Sequence, residues 1–414
     1  MPSHRFSLNA CDLYVILGIL YYLQNIVYPA GIIAQGIQMV MLCWGILAAT
    51  KTIVEPRRMP IVLRAALLLV IMYSLYGLAE MVYPRHIIIT EGYLNKEVHA
   101  YVYLQRALNS FLPFFVFYRF YNSGKLTRQR IVAYAFLLLG STFIRYFYSI
   151  YAFIEEQMLN GGTRTEFTNN LGYSFLGLIP YIFFMRRLLL RYILLGVLLV
   201  FIIACMKRGA ILIGGVSAIW FLLSQIKQSR GVGRKTLSIL FMCAIVGVAT
   251  WYVMDMLANS EYFVYRLNKT LEGNSSHRDV LYSSLSDEII NDTSLLHWLF
   301  GRGANSTILV AGNYAHQDWL ELMINNGILG ISLGAFFIIS LYYTAYKRRN
   351  VLGPAYTTCL MMAASMILMQ TFFSMIIYQM SIAVSLPLAY LVSYSYRPPR
   401  TQQQAYRRLK PQNN

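Results

Sequence analysis

Apolar runs of about 18 residues or more recur from one end of this chain to the other, and no other feature restricts its fold as much. A hydrophobic fraction of 57%, a charged fraction of 13% and a mean hydropathy of +0.50 over 414 residues lie far from the balance of a soluble domain. Only structures that satisfy every backbone polar group internally survive in hydrocarbon, and long runs of this kind do so as helices. The runs read as Cys11–Val27, Ile32–Ala49, Ile61–Val82, His99–Phe120, Ile131–Phe153, Leu171–Phe184, Tyr192–Cys205, Ala210–Ile226, Thr236–Leu257, Leu320–Tyr346, Pro354–Phe373 and Ile376–Tyr394. The expectation is an all-α polytopic membrane protein of about twelve transmembrane helices, forming one membrane domain over residues 1–414. Pro29 marks the turn after the first run, which reads as a retained span rather than a cleaved leader.

Charge placement sets an orientation. Lys51, Arg57 and Arg58 share one connection, and Lys125, Arg128 and Arg130 share the next but one. Arg186, Arg187 and Arg191 follow, then Lys227, Arg230, Arg234 and Lys235, then Lys347, Arg348 and Arg349, and finally the basic tail beyond Arg397. Every second connection is basic, which places both termini on the cytoplasmic side. The net charge of +18 is therefore a topology signal and an attraction to anionic membrane lipids, not a nucleic-acid footprint. Cys11, Cys43, Cys205, Cys243 and Cys359 lie in or beside apolar runs, with no metal-ligand spacing and no disulfide framework.

The longest polar stretch, residues 258–319, falls between the ninth and tenth spans and reads as a large helical periplasmic loop. Ser276-x-x-Asp279 looks like a capping box, with Val280, Leu281, Ser284, Leu285 and Glu288 following at helical spacing. Gly301 and Gly303 break the chain around Arg302, and a second helix is expected to start near His316 and run into the next span. On that helix His316, Trp319, Leu320 and Met323 would share a face. Among these residues His316 suits a general base for a sugar hydroxyl, whereas His277 and His297 have no comparable surroundings. On the same side Lys207 and Arg208 sit in a tight turn between two spans, where cations run against the inside rule unless an anion is present. They read either as snorkelling cations or as a phosphate clamp, with Arg278 heading a nearby helix. Arg145 and Arg106 lie within apolar runs; either a functional role or a pairing with Glu80, Glu155 or Glu156 accounts for them. The 33 tyrosines fit interfacial belts. A Walker loop, a dinucleotide fingerprint, an H-E-x-x-H motif and an outer Asp-x-Asp are all missing, which disfavours nucleotide cofactors and metal catalysis.

Taken together, Lys207-Arg208-Gly209-Ala210, Ser275-Ser276-His277-Arg278, Leu299-Phe300-Gly301-Arg302-Gly303, Ala315-His316-Gln317-Asp318-Trp319-Leu320-Glu321-Leu322 and Gly327-Ile328-Leu329-Gly330 resemble the O-antigen ligase/polymerase superfamily of bacterial membrane glycosyltransferases. The likeness covers about Met206 to Gly330, with Gln317 in place of a common asparagine. It implies metal-independent transfer, without a cofactor, of glycans carried on undecaprenyl diphosphate at the periplasmic face. By that similarity Arg208 and Arg278 would hold the diphosphate and His316 would deprotonate the acceptor. Lys207, Arg145, Arg302, Trp319 and Glu321 would contact the lipid-linked oligosaccharide or the acceptor glycan. A chain-length regulator protein is a further implied partner. The run His316-Gln317-Asp318-Trp319-Leu320-Glu321 resembles the repeat-unit polymerases of the superfamily; an O-antigen ligase is the alternative, and a lipid-linked glycan transporter is the reading from outside it.

Overall fold

The computed structural model describes residues 8–28, 31–55, 59–91, 94–159, 169–229, 231–259, 264, 268 and 278–396. Pro29, Arg57, Arg58, Arg230, the Ser276 cap, His277 and the basic tail lie outside the described residues. Among the described residues the regular structure is helical apart from one short hairpin. Its helices are α1 (Ala10–Tyr22), α2 (Ile32–Val54), α3 (Ile61–Val82), α4 (Ala100–Asn122), α5 (Arg128–Leu159), α6 (Leu171–Leu176), α7 (Leu188–Ala204), α8 (Arg208–Gln228) and α9 (Val232–Asn259). Next come α10 (Arg278–Asn291), α11 (Leu295–Phe300), α12 (Ser306–Ala311), α13 (Asp318–Lys347), α14 (Arg349–Phe373) and α15 (Ile382–Ser395). A 3-10 turn, Ile179–Phe184, continues the line of α6. The hairpin, which sequence periodicity did not anticipate, pairs Ile88–Glu91 with Leu94–Glu97 in antiparallel register, Ile88 opposite Glu97.

Six of these helices are long and apolar enough to cross a membrane: α2, α3, residues 128–155 of α5, α8, α13 and α14. Shorter apolar helices include α1, α7 and α15, and the run expected over Leu171–Phe184 is a helix broken at Gly177. Outward-facing Ile33, Leu47, Leu75, Leu137, Val200 and Ile339 are each more than half exposed, a surface that water would not tolerate and lipid does. The protein is thus a polytopic helical membrane protein.

Helix α4 is the enclosed one. Phe111, Phe114, Phe115 and Phe117 are fully buried on it, so all its faces meet protein. Small residues on its neighbours allow the close approach: a Cβ on Gly45 would sit 2.6 Å from that of Leu112, and one on Gly77 2.8 Å from that of Leu104. Among membrane helices such van der Waals contact, rather than exclusion of water, supplies the packing energy. Tyr14, Tyr73, Tyr103, Tyr181 and Tyr192 are also fully buried, so these tyrosines pack the core instead of forming interfacial belts.

The ends of the bundle differ in chemistry. At one end Arg130 pairs with Asp12, Arg119 pairs with Glu55, the Asn9 amide donates to the Lys125 carbonyl at 3.2 Å, and Arg191 donates to Gln225 at 3.0 Å. Basic connections far apart in sequence therefore meet there. The other end carries α10, α11 and α12, fastened to the spans by the Tyr76 hydroxyl on the Phe300 carbonyl and by Arg85 on the Ala304 carbonyl. Arg85 also takes Glu80, which leaves that carboxylate no role in pairing Arg145.

Candidate active site

Three pieces of chain build the loop-bearing end, and each owes its shape to local sequence. The first is the turn between α7 and α8. Met206 adopts φ +55°, a left-handed conformation rare for a side chain without local hydrogen bonding. This turns the chain sharply so that Lys207 caps α8 and Arg208 opens it. Gly209 has no room for a side chain: a Cβ would lie 2.5 Å from the Tyr173 hydroxyl and 2.7 Å from Cβ of Phe373. The small residues after Arg208 thus let the turn seat against α6 and the end of α14. Cations at a helix N-terminus oppose the macrodipole, an arrangement an anion would relieve.

The second piece is α10. Its Leu285 is fully buried with Ala315 and Ile324, flanked by Leu281 and Ile289 from the same face. That spacing of four is the stripe expected for a helix laid on a surface. Arg278 is its first described residue, and the charge of Arg278 acts on the Tyr173 phenol, whose hydroxyl donates to the Phe373 carbonyl at 3.2 Å. Tyr173 therefore feels the Arg278 charge and also lies against the Gly209 turn, although the two are distant in sequence.

The third piece carries His316. The expectation that His316 shares a helical face with Trp319 and Met323 is corrected here. Helix α13 begins at Asp318 with Gln317 as its cap, and His316 stands before it at φ +54°, its side chain exposed. Strained backbone of this kind persists only where surroundings enforce it. Glu321 does so: its buried carboxylate accepts from the Ala315 amide at 2.9 Å, the Thr307 hydroxyl at 2.7 Å and the Asn325 side chain at 2.8 Å. Glu321 thus holds the loop that presents His316 and is not itself open to a ligand. Asp318 accepts from the Ile376 and Ile377 amides at 2.8 and 3.1 Å, tying the same loop to the break between α14 and α15. Trp319 lies against Phe372, ring centres 6.2 Å apart, next to the residue that touches Gly209.

Glycines Gly301 and Gly327 explain a further part of the pattern. Helix α13 is kinked at Gly327, φ +64°, and the loop crosses the kink backbone to backbone. The Arg302 amide donates to the Ile324 carbonyl at 2.8 Å and the Gly303 amide to the Asn325 carbonyl at 3.1 Å, satisfying groups that the kink releases.

Arg302 itself is already engaged. Its Nε and Nη2 bond Asp292 at 2.9 and 2.6 Å, and Nη1 pairs with Glu288. His297 bonds the same Asp292 oxygen at 2.9 Å. These contacts make Arg302 a scaffold cation of the loop rather than a substrate ligand. The Ser294 amide, followed by Arg302 and His297, holds the Asp292 carboxyl down to about 2. A depressed carboxylate contributes in full above its ordinary value of about 4 and loses that contribution as pH falls through its folded value. The Trp298 indole donates to the Asp292 carbonyl at 2.9 Å and reports on the cluster. In a variant with Trp298 as sole tryptophan, its fluorescence should hold steady above about pH 4 and change as pH falls toward about 2, with R302M moving the transition upward.

Among the described side chains Arg145 pairs with neither Glu80 nor Glu155, and the Glu156 side chain lies outside those described. Arg145 donates to the Tyr22 carbonyl at 2.8 Å and lies 4.6 Å from the centre of that ring, bracing α5 against α1. Arg106, the other arginine of the apolar runs, reaches Tyr314 in the His316 loop. Its position near the start of an apolar run was the only signal for it. The structure thus seats the Gly209 turn on Tyr173 and Phe373, sets Trp319 against the adjacent Phe372, and packs the middle of α10 on Ala315, the residue before His316. Compared with protein families and with curated proteins, the chain matches none.

Proposed function

We propose that this protein is a surface-polysaccharide polymerase of the bacterial inner membrane. In this reading it joins oligosaccharide repeat units carried on undecaprenyl diphosphate, at the periplasmic face and without a metal. Both termini are cytoplasmic, the spans number about twelve, and residues 258–319 form the periplasmic loop. One observation carries the reading: the middle of α10 packs on Ala315 beside His316, while the charge of Arg278 on the same helix acts on Tyr173, which lies against Gly209 next to Arg208.

The chemistry follows from that arrangement. His316 takes the proton of an acceptor hydroxyl as the oxygen attacks the anomeric carbon of the donor. The bond from that carbon to the diphosphate oxygen breaks, and the electron pair leaves with the diphosphate. Arg208, Arg278 and Lys207 offset the developing charge with fixed donors, which need no reorganisation as the bond breaks. A neutral imidazole near pH 7 suits partial deprotonation of a hydroxyl already held in place. Polymerase is preferred over ligase on the run from His316 to Glu321.

The test is purified protein mixed with diphosphate-linked repeat units in the absence of an ion gradient. Ladders of longer chains are expected. Transfer confined to added lipid A core would replace the polymerase with a ligase, and no transfer to either acceptor would turn the reading toward transport.

A further inference from the structure

Arg106 lies on α4, one turn after Tyr103, and belongs to none of the groups assigned above. Its guanidinium carbon is 5.0 Å from the centre of the Tyr314 ring and 5.8 Å from that of Tyr378. Aromatic rings at this range hold a guanidinium by its faces and leave its edge for acceptors in its own plane. Part of that edge is unmet: Nη1 is buried with no acceptor among the described residues. The Arg106 charge acts on Glu321, yet the Glu321 oxygens are bonded to Ala315, Thr307 and Asn325 instead. The surroundings add donors rather than acceptors. The Tyr103 hydroxyl donates to Oδ1 of Asn326 at 3.1 Å, leaving Nδ2 of Asn326 buried and unbonded. The Tyr378 hydroxyl is likewise buried without a partner, its ring 5.1 Å from that of Tyr103. A partly buried guanidinium whose Nη1 is buried and unmet, beside other unmet donors, is costly unless an oxyanion completes it.

We propose that Arg106, Asn326 and Tyr378 form a second oxyanion subsite beneath the His316 loop, closed on one side by Tyr314. Its ligand is a carboxylate of an acidic sugar or a phosphate of a lipid headgroup, carried by the acceptor. The acceptor role rests on the transfer reading above; the binding of an oxyanion does not. Because Tyr314 is two residues from His316, an acceptor held there would be anchored close to the base.

The full chain in detergent, titrated calorimetrically with inorganic pyrophosphate and separately with glucuronate, tests this. R106Q should weaken binding of one or both anions about tenfold or more, since a charge-assisted, in-plane pair is lost. A defect toward pyrophosphate alone supports the headgroup source, and one toward glucuronate alone supports the acidic sugar. Isotherms of R106Q superimposable on wild type for both anions overturn the subsite. If R106Q fails to fold, R106K keeps the charge without the planar donors, and an unchanged affinity overturns the subsite equally. R208Q separates the two readings. Wild-type pyrophosphate binding in R208Q, alongside a defect in R106Q, would remove the leaving-group role of Arg208 and leave the subsite standing.

Discussion

Replacing His316 by alanine should lower chain elongation by about 10²–10⁴-fold, the range for loss of a positioned general base. The protein should remain in the membrane and fold, because the His316 side chain is exposed and the loop is held by Glu321 and Asp318 instead. Alanine at Arg208 or Arg278 should each cost about 10²–10³-fold, the range for removing one preorganised donor from a developing anion. Residues acting as one unit are not additive, so the triple variant should fall little below the worst single one. Initial rates of repeat-unit addition with purified variants are the measurement. Full-length glycan in a His316→Ala strain would refute the base assignment.

The second large effect is structural. Alanine at Gly301 would place its Cβ 2.3 Å from the Asn326 amide and 2.4 Å from the Asn325 carbonyl carbon, at φ +72°. Backbone flanks this position, so no side chain can move aside. The left-handed conformation alone costs about 1–2 kcal/mol for a residue with a Cβ, and separating two bonded segments adds to it. Destabilisation beyond about 4 kcal/mol is expected, in the range reserved for named structural failures. Gly327→Ala meets the same crossing from the other strand of backbone, 2.6 Å from the Gly301 amide. Both variants should be recovered poorly or as protease-sensitive protein, whereas Gly312→Ala, with open space around it, bears only the conformational strain. Normal yield and thermal stability of Gly301→Ala would mean that the loop does not cross the helix there.

Much of this architecture could be read directly. The helix over Arg278–Asn291 follows from the spacing of Leu281 and Leu285, and the turn at Lys207 from the polar pair between apolar runs. The His316 segment was legible as a candidate but not in its conformation, because a left-handed residue leaves no periodic trace. Arg302 and Glu321 looked open to a ligand for a related reason. Their partners, Asp292, Glu288, Thr307 and Asn325, are ordinary polar residues whose assignment depends on how the loop folds.

What the sequence determined by itself was the solvent: hydrocarbon demands continuous apolar helices, and that demand is local, written in every run of about 18 residues. Tertiary structure alone decided which polar groups meet. It set the Arg278 charge to act on Tyr173, closed Glu321 over Ala315 and left Nη1 of Arg106 unmatched. The physical reason is that such contacts join residues far apart in the chain and depend on distances of a few ångströms, which no pattern along a single strand encodes.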